Sequence, residues 1–211
     1  MRYVPWWGVG SSVAIPVFLI TGWTIAGMLQ PATYSPMRNS VSALAAIGAR
    51  DRWVMTLVFV LTAICYLITA LALRPVPMAA RLILVAGALA GMLVAASPEP
   101  PGGRFSPAHA VWAGVGFAML SIWPLAARQA GPRTPWPLRP ASALGAVTVF
   151  AALLGWFVLE LVGKGADLGL AERVVGVAQA GWLLLVVLSC RPRPRLPAAL
   201  AAVRIPTDQR R

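Results

Sequence analysis

Three ionisable side chains stand at the ends of long apolar stretches, where acid–base chemistry can meet an apolar substrate. They are Asp51, His109 and Glu160, and Glu160 lies inside the stretch WFVLELVGKG. A carboxylic acid removed from water can stay protonated at neutral pH and then donate its proton to an alkene or an epoxide. The pattern therefore indicates a proton donor in an apolar site. Glu160 is the first catalytic candidate, and His109 and Asp51 are the others.

Tryptophan accompanies two of these groups at helical spacing. Trp112 follows His109 by three residues and Trp156 precedes Glu160 by four, so each indole would lie one turn deeper than the ionisable group. Trp23 lies in the corresponding part of the first apolar run. Because an indole face can stabilise a carbocation, these three tryptophans predict an aromatic pocket that binds the substrate.

Five polar residues complete the candidate site, and we predict that they contact the substrate. Asn39 and Ser42 follow the first apolar run, whereas Glu172, Arg173 and Gln179 lie in the last one. Ionisable groups inside a membrane span cost free energy and usually face the bundle interior or a cavity. The candidates therefore converge on one half of a membrane protein.

A purely structural interpretation exists beside the catalytic one. Glu160 stands four residues before Lys164, which is the favourable order for an ion pair along a helix. In this interpretation, His109 is simply a hydrogen-bonding group at the start of a helix. The polar residues of the last span can cap it or bond a neighbouring helix.

The elements that must position these groups are transmembrane helices. The chain has 211 residues, of which 59% are hydrophobic and 11% are charged, against about 25% charged in soluble domains. Each apolar run can cross a hydrocarbon core about 30 Å thick. We predict spans at 8–29, 53–73, 82–96, 108–127, 141–163 and 170–190, with the third extended backwards through Ala79, Ala80 and Arg81. The predicted fold is an all-α integral membrane bundle of six transmembrane helices in one domain (1–190), followed by a basic, disordered cytoplasmic tail (191–211).

The first outer loop contains a short segment with helical periodicity. Asn39 or Ser40 can act as its N-cap, Gly48 favours a stop, and the apolar positions between them are Val41, Leu44, Ala45 and Ile47. We predict a short outer interfacial helix near 40–47. It either closes a cavity as a lid or simply anchors the loop among lipid headgroups.

The cations predict the orientation. Of the 18 Lys and Arg residues, twelve fall on the side that holds both termini and six on the other. Because cations in short loops favour the cytoplasm, we predict a multi-pass protein of a bacterial inner (plasma) membrane with both termini cytoplasmic. This distribution accounts for the net charge of +12 without nucleic acid as a partner. Two isolated cysteines and one histidine predict neither a bound metal nor another cofactor.

Three stretches resemble the pattern of one family. They are YSPMRNSVSALAAIGARDRW, SPEPPGGRFSPAHAVWAGVGF and GLAERVVGVAQAGW. The family is the bacterial and archaeal membrane family called domain of unknown function 998. Its Asn-x-x-Ser motif would fall on Asn39 and Ser42, its loop histidine on His109, and its late charged pair on Glu172 and Arg173. The resemblance implies the fold and a polar outer site, and it assigns no reaction.

Two classes of function fit these features. In the first, an outer-half pocket binds a lipid or an isoprenoid, and the protein is a membrane-embedded enzyme such as a terpene-cyclase-like protonation cyclase with Glu160 as donor. In the second, the protein is a non-catalytic lipid sensor or an accessory subunit of a larger complex. The expected partners are membrane lipids and a small apolar ligand. Ceramidase-like hydrolases need several zinc-binding histidines, and a transporter is disfavoured because no pair of broken spans repeats.

Overall fold

Six long α-helices make up the described part of the chain. A computed structural model describes residues 3–101 and 104–191 and contains no strand in these ranges. The helices are α1 (Trp6–Met28), α2 (Trp53–Ala72), α3 (Met78–Ala96), α4 (Pro107–Ala127), α5 (Pro140–Gly163) and α6 (Leu168–Ser189). All six are long and apolar enough to cross a membrane. The predicted all-α, multi-pass architecture is confirmed, whereas most of the predicted tail, 192–211, lies outside the described residues.

The helix boundaries follow the predicted spans closely, and the largest difference is at the start of α3. This helix begins at Met78, so it includes the turn that carries Arg81. The Arg81 Nε donates to the Ala70 carbonyl at 2.7 Å and its Nη2 donates to the Leu71 carbonyl at 3.2 Å. Carbonyls in the last turn of a helix lack intrahelical partners, so the added turn of α3 stabilises the end of α2.

Each helix packs against the next in the chain, and α6 returns to α1, which closes a ring. Close approach and hydrogen bonds hold membrane helices together, because lipid offers little hydrophobic driving force between them. Both features occur between α1 and α2. A Cβ atom added at Gly22 would overlap the Val58 side chain, and the Ser11 and Thr69 hydroxyl oxygens lie 2.8 Å apart.

Three loops gather at one end of the ring, which we call the polar end: 29–52, the described parts of the second loop (97–101 and 104–106) and 164–167. The Gln30 side chain joins the two ends of the first loop. It donates to the Arg50 carbonyl at 2.9 Å and accepts from the Arg50 N–H at 3.2 Å. The Ile47 N–H then donates to the Glu99 carbonyl at 2.8 Å. The first loop is therefore folded onto the second.

The predicted short helix of the first loop is a single 3₁₀ turn over Ser42–Ala45. The Ala43 N–H donates to the Ser40 hydroxyl at 3.0 Å, and the turn ends at Ala45 because Ala46 is extended, before Gly48 with its φ of 94°. Leu44 is fully buried and the segment packs on α1 and α2. Val41 and Ala45 are buried as well, whereas Ile47 is exposed, and the role of the segment as a lid or as an anchor stays a prediction.

Candidate functional site

Arg173, in the first turns of α6, holds the first loop against the bundle. Its Nη1 donates to the carbonyls of Pro36 at 2.6 Å, Asn39 at 3.2 Å and Gly169 at 2.8 Å. Its Nη2 donates to the Tyr34 hydroxyl at 2.7 Å. Hydrogen bonds from a charged donor are stronger than neutral ones, so the Arg173 guanidinium stabilises the position of residues 34–39 against α6.

Tyr34 and Asn39 shape the loop that Arg173 binds. Burial raises the pKa of the Tyr34 hydroxyl above its ordinary value, and the Arg173 guanidinium opposes this shift. The hydroxyl is therefore neutral at physiological pH, and its oxygen accepts a hydrogen bond from the Arg173 guanidinium. The Asn39 Oδ1 accepts from the Ser35 N–H at 2.8 Å, which fixes the turn before the 3₁₀ segment. Both contacts position the loop, and direct substrate binding by Asn39 and Arg173 stays a prediction.

Glu172 joins α6 to the 3₁₀ segment itself. Its carboxyl group is buried, and its Oε2 accepts from the Val41 N–H at 2.7 Å. Neighbouring residues of α6 thus bind consecutive parts of the same loop. The predicted convergence of the last span with the first outer loop is therefore observed in the structure.

Ser42, the first residue of the 3₁₀ segment, forms a direct hydrogen bond with His109 of α4. The Ser42 Oγ lies 2.8 Å from the His109 Nε2, and the His109 Nδ1 lies 2.9 Å from the Ser97 carbonyl oxygen. The Glu99 carboxylate is 3.8 Å from the same Nε2. Both Ser42 and His109 are buried. A hydroxyl, an imidazole and a carboxylate from three separate segments therefore meet at one point.

A cavity of about 150 Å³ lies inside the ring beneath the 3₁₀ segment. Most of its lining is apolar and includes Trp23 and Trp112. Four glycines also line it, namely Gly87, Gly91, Gly116 and Gly176. Its polar lining residues are Ser42, Thr62, Glu172 and Gln179. A few polar groups that converge on a mainly apolar cavity are typical of a binding site for a small molecule.

Of the polar residues that line the cavity, Gln179 has hydrogen-bond partners on a neighbouring helix and Thr62 is unpaired. The Gln179 Nε2 donates to the Phe117 carbonyl at 3.1 Å and to the Ser121 hydroxyl at 3.0 Å, so Gln179 bonds a neighbouring helix as predicted. The Thr62 hydroxyl is buried and has no hydrogen-bond partner among residues 3–101 and 104–191. An unpaired buried hydroxyl costs free energy, and a ligand with a polar atom would remove that cost.

A second, larger space of about 550 Å³ lies on the other side of the 3₁₀ segment. Asn39, Ala43 and Glu99 line this outer crevice, whereas Val41 and Ser42 line the inner cavity. Residues 41–43 therefore separate the two spaces, and we call them the wall segment. Ser42 in the wall segment lines the inner cavity, and its hydroxyl bonds the His109 Nε2.

Residues 12–189 match the family described as protein of unknown function DUF998. The chain belongs to the DUF998 family. The match covers every residue of the polar end described above and confirms the resemblance seen in the sequence. No curated protein and no solved structure matches the chain.

Among the residues predicted for the pocket of this DUF998 protein, His109, Trp156 and Glu160 are not in the lining of the inner cavity. Within the described ranges, Trp156 and Glu160 do not line the cavity, because α5 contributes no lining residue and packs outside it between α4 and α6. The aromatic pocket expected around three tryptophans therefore contains Trp23 and Trp112 only. Asp51 is exposed just before α2. Catalytic roles for Glu160 and Asp51 stay predictions that the cavity does not support.

Glu160 instead closes the connection between α5 and α6. Its Oε2 accepts from the Asp167 N–H at 3.0 Å, and its carbonyl accepts from the Gly165 N–H at 2.8 Å. Lys164 ends α5 with a φ of 52°, and in the described part of the chain the two side chains make no ion pair. The helix stops at Lys164, so the spacing expected of a continuous helix does not apply.

We predict that Glu160→Ala and Glu160→Gln differ in their effect on stability. Alanine removes the acceptor of the Asp167 N–H and should lower the free energy of unfolding by about 1 kcal/mol. Glutamine keeps an acceptor oxygen, so its effect should stay within about 0.5 kcal/mol. Thermal unfolding in detergent measures both. Equal destabilisation by the two variants would show that the carboxylate charge, and not this hydrogen bond, is what matters.

Several contributors to the site were missed in the sequence. Tyr34 opens the first family-like stretch and Glu99 lies in the second, so position alone could have singled them out. Ser97 acts through its backbone carbonyl, which no sequence pattern reveals. Within residues 3–101 and 104–191, no three side chains of His, Cys, Asp or Glu are grouped as metal ligands would be.

Proposed function

We propose that this protein binds a lipid or isoprenoid molecule, with an apolar segment of the ligand in the inner cavity. The observation that carries the proposal is the mainly apolar cavity inside the ring, whose few polar groups come from the 3₁₀ segment, α2 and α6. The unpaired Thr62 hydroxyl supports a ligand that has a polar atom within reach. The cation distribution supports a plasma-membrane location with the polar end outside and both termini in the cytoplasm.

The size of the cavity limits what enters it. At about 150 Å³, it resembles cavities that admit a molecule of the size of benzene. It therefore suits one isoprene-sized unit or the end of an acyl chain, and the rest of the ligand would extend out of it. A protonation cyclase would need an acid at this cavity. Glu172 lines it, so Glu172 replaces Glu160 as the donor in that form of the proposal.

Filling the cavity should remove the ligand. Gly176 lines it, and a Cβ atom added there meets nothing within 4 Å, so Gly176→Leu places a side chain in the empty space without a backbone clash. Gly181 is the matched control, because it lies in the same helix, is exposed, and likewise has free space around an added Cβ. We expect a copurifying lipid in the wild type and in Gly181→Leu, and at least about tenfold less of it in Gly176→Leu.

Mass spectrometry of organic extracts from the purified proteins measures the amount of bound lipid in the wild type and in each variant. A shared loss in both variants would point to a general effect of leucine on α6. Equal lipid content in wild type and Gly176→Leu, with both folded, would contradict binding in this cavity. The same extracts would identify the ligand.

A further inference from the structure

We propose that Ser42 and His109 act as a nucleophile and its general base, which cleave or transfer the acyl group of a lipid carboxylic ester. The inference rests on the proposed function, because the acyl chain would occupy the inner cavity. Nucleophilic serines are recognised by a base within about 2.6–3.2 Å that is itself oriented by a third group. Ser42, His109 and the Ser97 carbonyl meet this description at 2.8 Å and 2.9 Å.

The hydrogen bonds fix which nitrogen of His109 can act as the base. The Ser97 carbonyl oxygen can only accept, so the Nδ1 that lies 2.9 Å from it must carry a hydrogen. In the neutral ring, the Nε2 then has a free lone pair that faces the Ser42 hydroxyl. Ser42 therefore donates to His109, and this arrangement allows the imidazole to take the serine proton.

The groups around His109 favour the imidazolium that would result. Glu99 lies 3.8 Å from the Nε2 and is partly exposed at the outer crevice. A carboxylate at this distance stabilises a positive charge on the ring. The Ser97 carbonyl keeps the ring in place through the Nδ1 hydrogen, as the third member of a serine triad does.

The position of the pair indicates the class of substrate. Ser42 lies on the wall segment, with the apolar cavity of about 150 Å³ on its side and the outer crevice of about 550 Å³ on the other. An ester with a long acyl chain would place that chain in the cavity, on the inner side of the wall segment. Its carbonyl carbon would then lie at the wall segment, next to the serine hydroxyl.

The reaction balances with water as the only co-reactant. The Ser42 oxygen attacks the ester carbonyl carbon while its proton moves to the His109 Nε2. The bond between the acyl carbon and the alcohol oxygen then breaks, and the alcohol leaves with that proton. Water attacks the acyl-serine in the same way, which releases a carboxylic acid and restores Ser42. The N–H groups of Val41 and Ala43 already bond Glu172 and Ser40, so a different donor must stabilise the oxyanion.

A fluorophosphonate with a long alkyl chain tests the nucleophile on full-length protein in detergent. Such a probe forms a bond from the Ser42 oxygen to phosphorus with loss of fluoride, and it needs the same proton transfer to His109. We expect one adduct per chain, located at Ser42 by peptide mass spectrometry. Ser42→Ala should abolish it, and His109→Gln should slow it by at least about 100-fold, as expected for loss of a general base.

Ser35→Ala is the matched control, because Ser35 lies in the same loop and bonds Asn39 through its backbone N–H and carbonyl, which alanine keeps. Its labelling rate should stay within about twofold of the wild type, against the 100-fold loss expected for the base. No adduct at Ser42 in a folded wild type that retains copurified lipid would overturn the acyl-transfer inference alone. Adduct formation with long-chain and short-chain probes at equal rates, unchanged by Gly176→Leu, would support the nucleophile and contradict the cavity as the site of the chain.

Discussion

Replacing Arg173 with methionine should release the first loop from α6 and lower the free energy of unfolding by about 3 kcal/mol, because hydrogen bonds to a charged group contribute about 1.5–3 kcal/mol each. Four acceptors lose their donor in this variant, and three of them belong to the loop: the carbonyls of Pro36 and Asn39 and the hydroxyl of Tyr34. Methionine fills similar space, so the effect should come from the lost bonds. Arg173→Lys should be nearly as damaging, since one ammonium cannot replace a planar guanidinium with two separate donor nitrogens.

Two measurements check this expectation. The melting temperature in detergent should fall by about 6–12 °C, at about 2–4 °C for each kcal/mol in a chain of this size. Amide hydrogen exchange should rise across 34–42 while the helices remain protected. Arg38 is the matched control, because it is an exposed arginine of the same loop, and Arg38→Met should leave both measurements unchanged. Normal protection of 34–42 in Arg173→Met would show that the loop is held by other contacts.

Adding a single methyl group at Gly169 of α6 should displace the first loop at Pro36 and Asn39. A Cβ atom at this position would overlap the carbonyl oxygens of Asn39 and Pro36 and would lie 2.8 Å from the Arg173 Nη1. Two of these atoms are backbone, so they cannot rotate away. The Gly169 N–H also donates to the Met37 carbonyl at 2.7 Å, which requires this close approach. We expect Gly169→Ala to cost about 2–3 kcal/mol, at the upper end of the usual cost of overpacking.

Gly181→Ala in the same helix supplies the comparison. An added Cβ there meets nothing within 4 Å, and alanine is the better helix former by about 0.5–1 kcal/mol. Thermal unfolding of the pair should therefore move in opposite directions. Gly169→Ala should also reduce fluorophosphonate labelling of Ser42, since the wall segment follows directly after the displaced loop. A stable Gly169→Ala with normal loop exchange would mean that α6 and the loop are not in close contact.

Position along the helices could be predicted from the sequence, whereas direction around each helix could not. Hydropathy predicted six apolar helices close to those observed, and Ser42, His109 and Glu172 lie at or beside the polar end, whereas Gln179 lies halfway along α6. The same reasoning placed Glu160 near the end of α5, but α5 packs outside the cavity and turns that carboxyl group toward the next loop. Which helices enclose a cavity depends on their order around the ring, and this order is a tertiary property.

The details of the site needed backbone geometry. Helical spacing predicted an α-helix over 40–47, yet the segment is one 3₁₀ turn whose Val41 N–H bonds the Glu172 carboxylate on α6. Long-range partners of this kind override local propensity. The tautomer of His109 likewise depends on the Ser97 carbonyl, to which the identity of the side chain at position 97 gives no guide.

The glycines that line the inner cavity allow its volume to change during evolution while the fold stays the same. At Gly91, Gly116 and Gly176 an added Cβ meets no atom closer than 3.7 Å, so each position can accept alanine while the bundle stays intact. One changed base converts a glycine codon to an alanine codon, and each conversion would shorten the chain that the cavity can hold. Relatives with the same six helices could therefore diverge in ligand length by single-nucleotide steps, with the chemistry at Ser42 and His109 left in place.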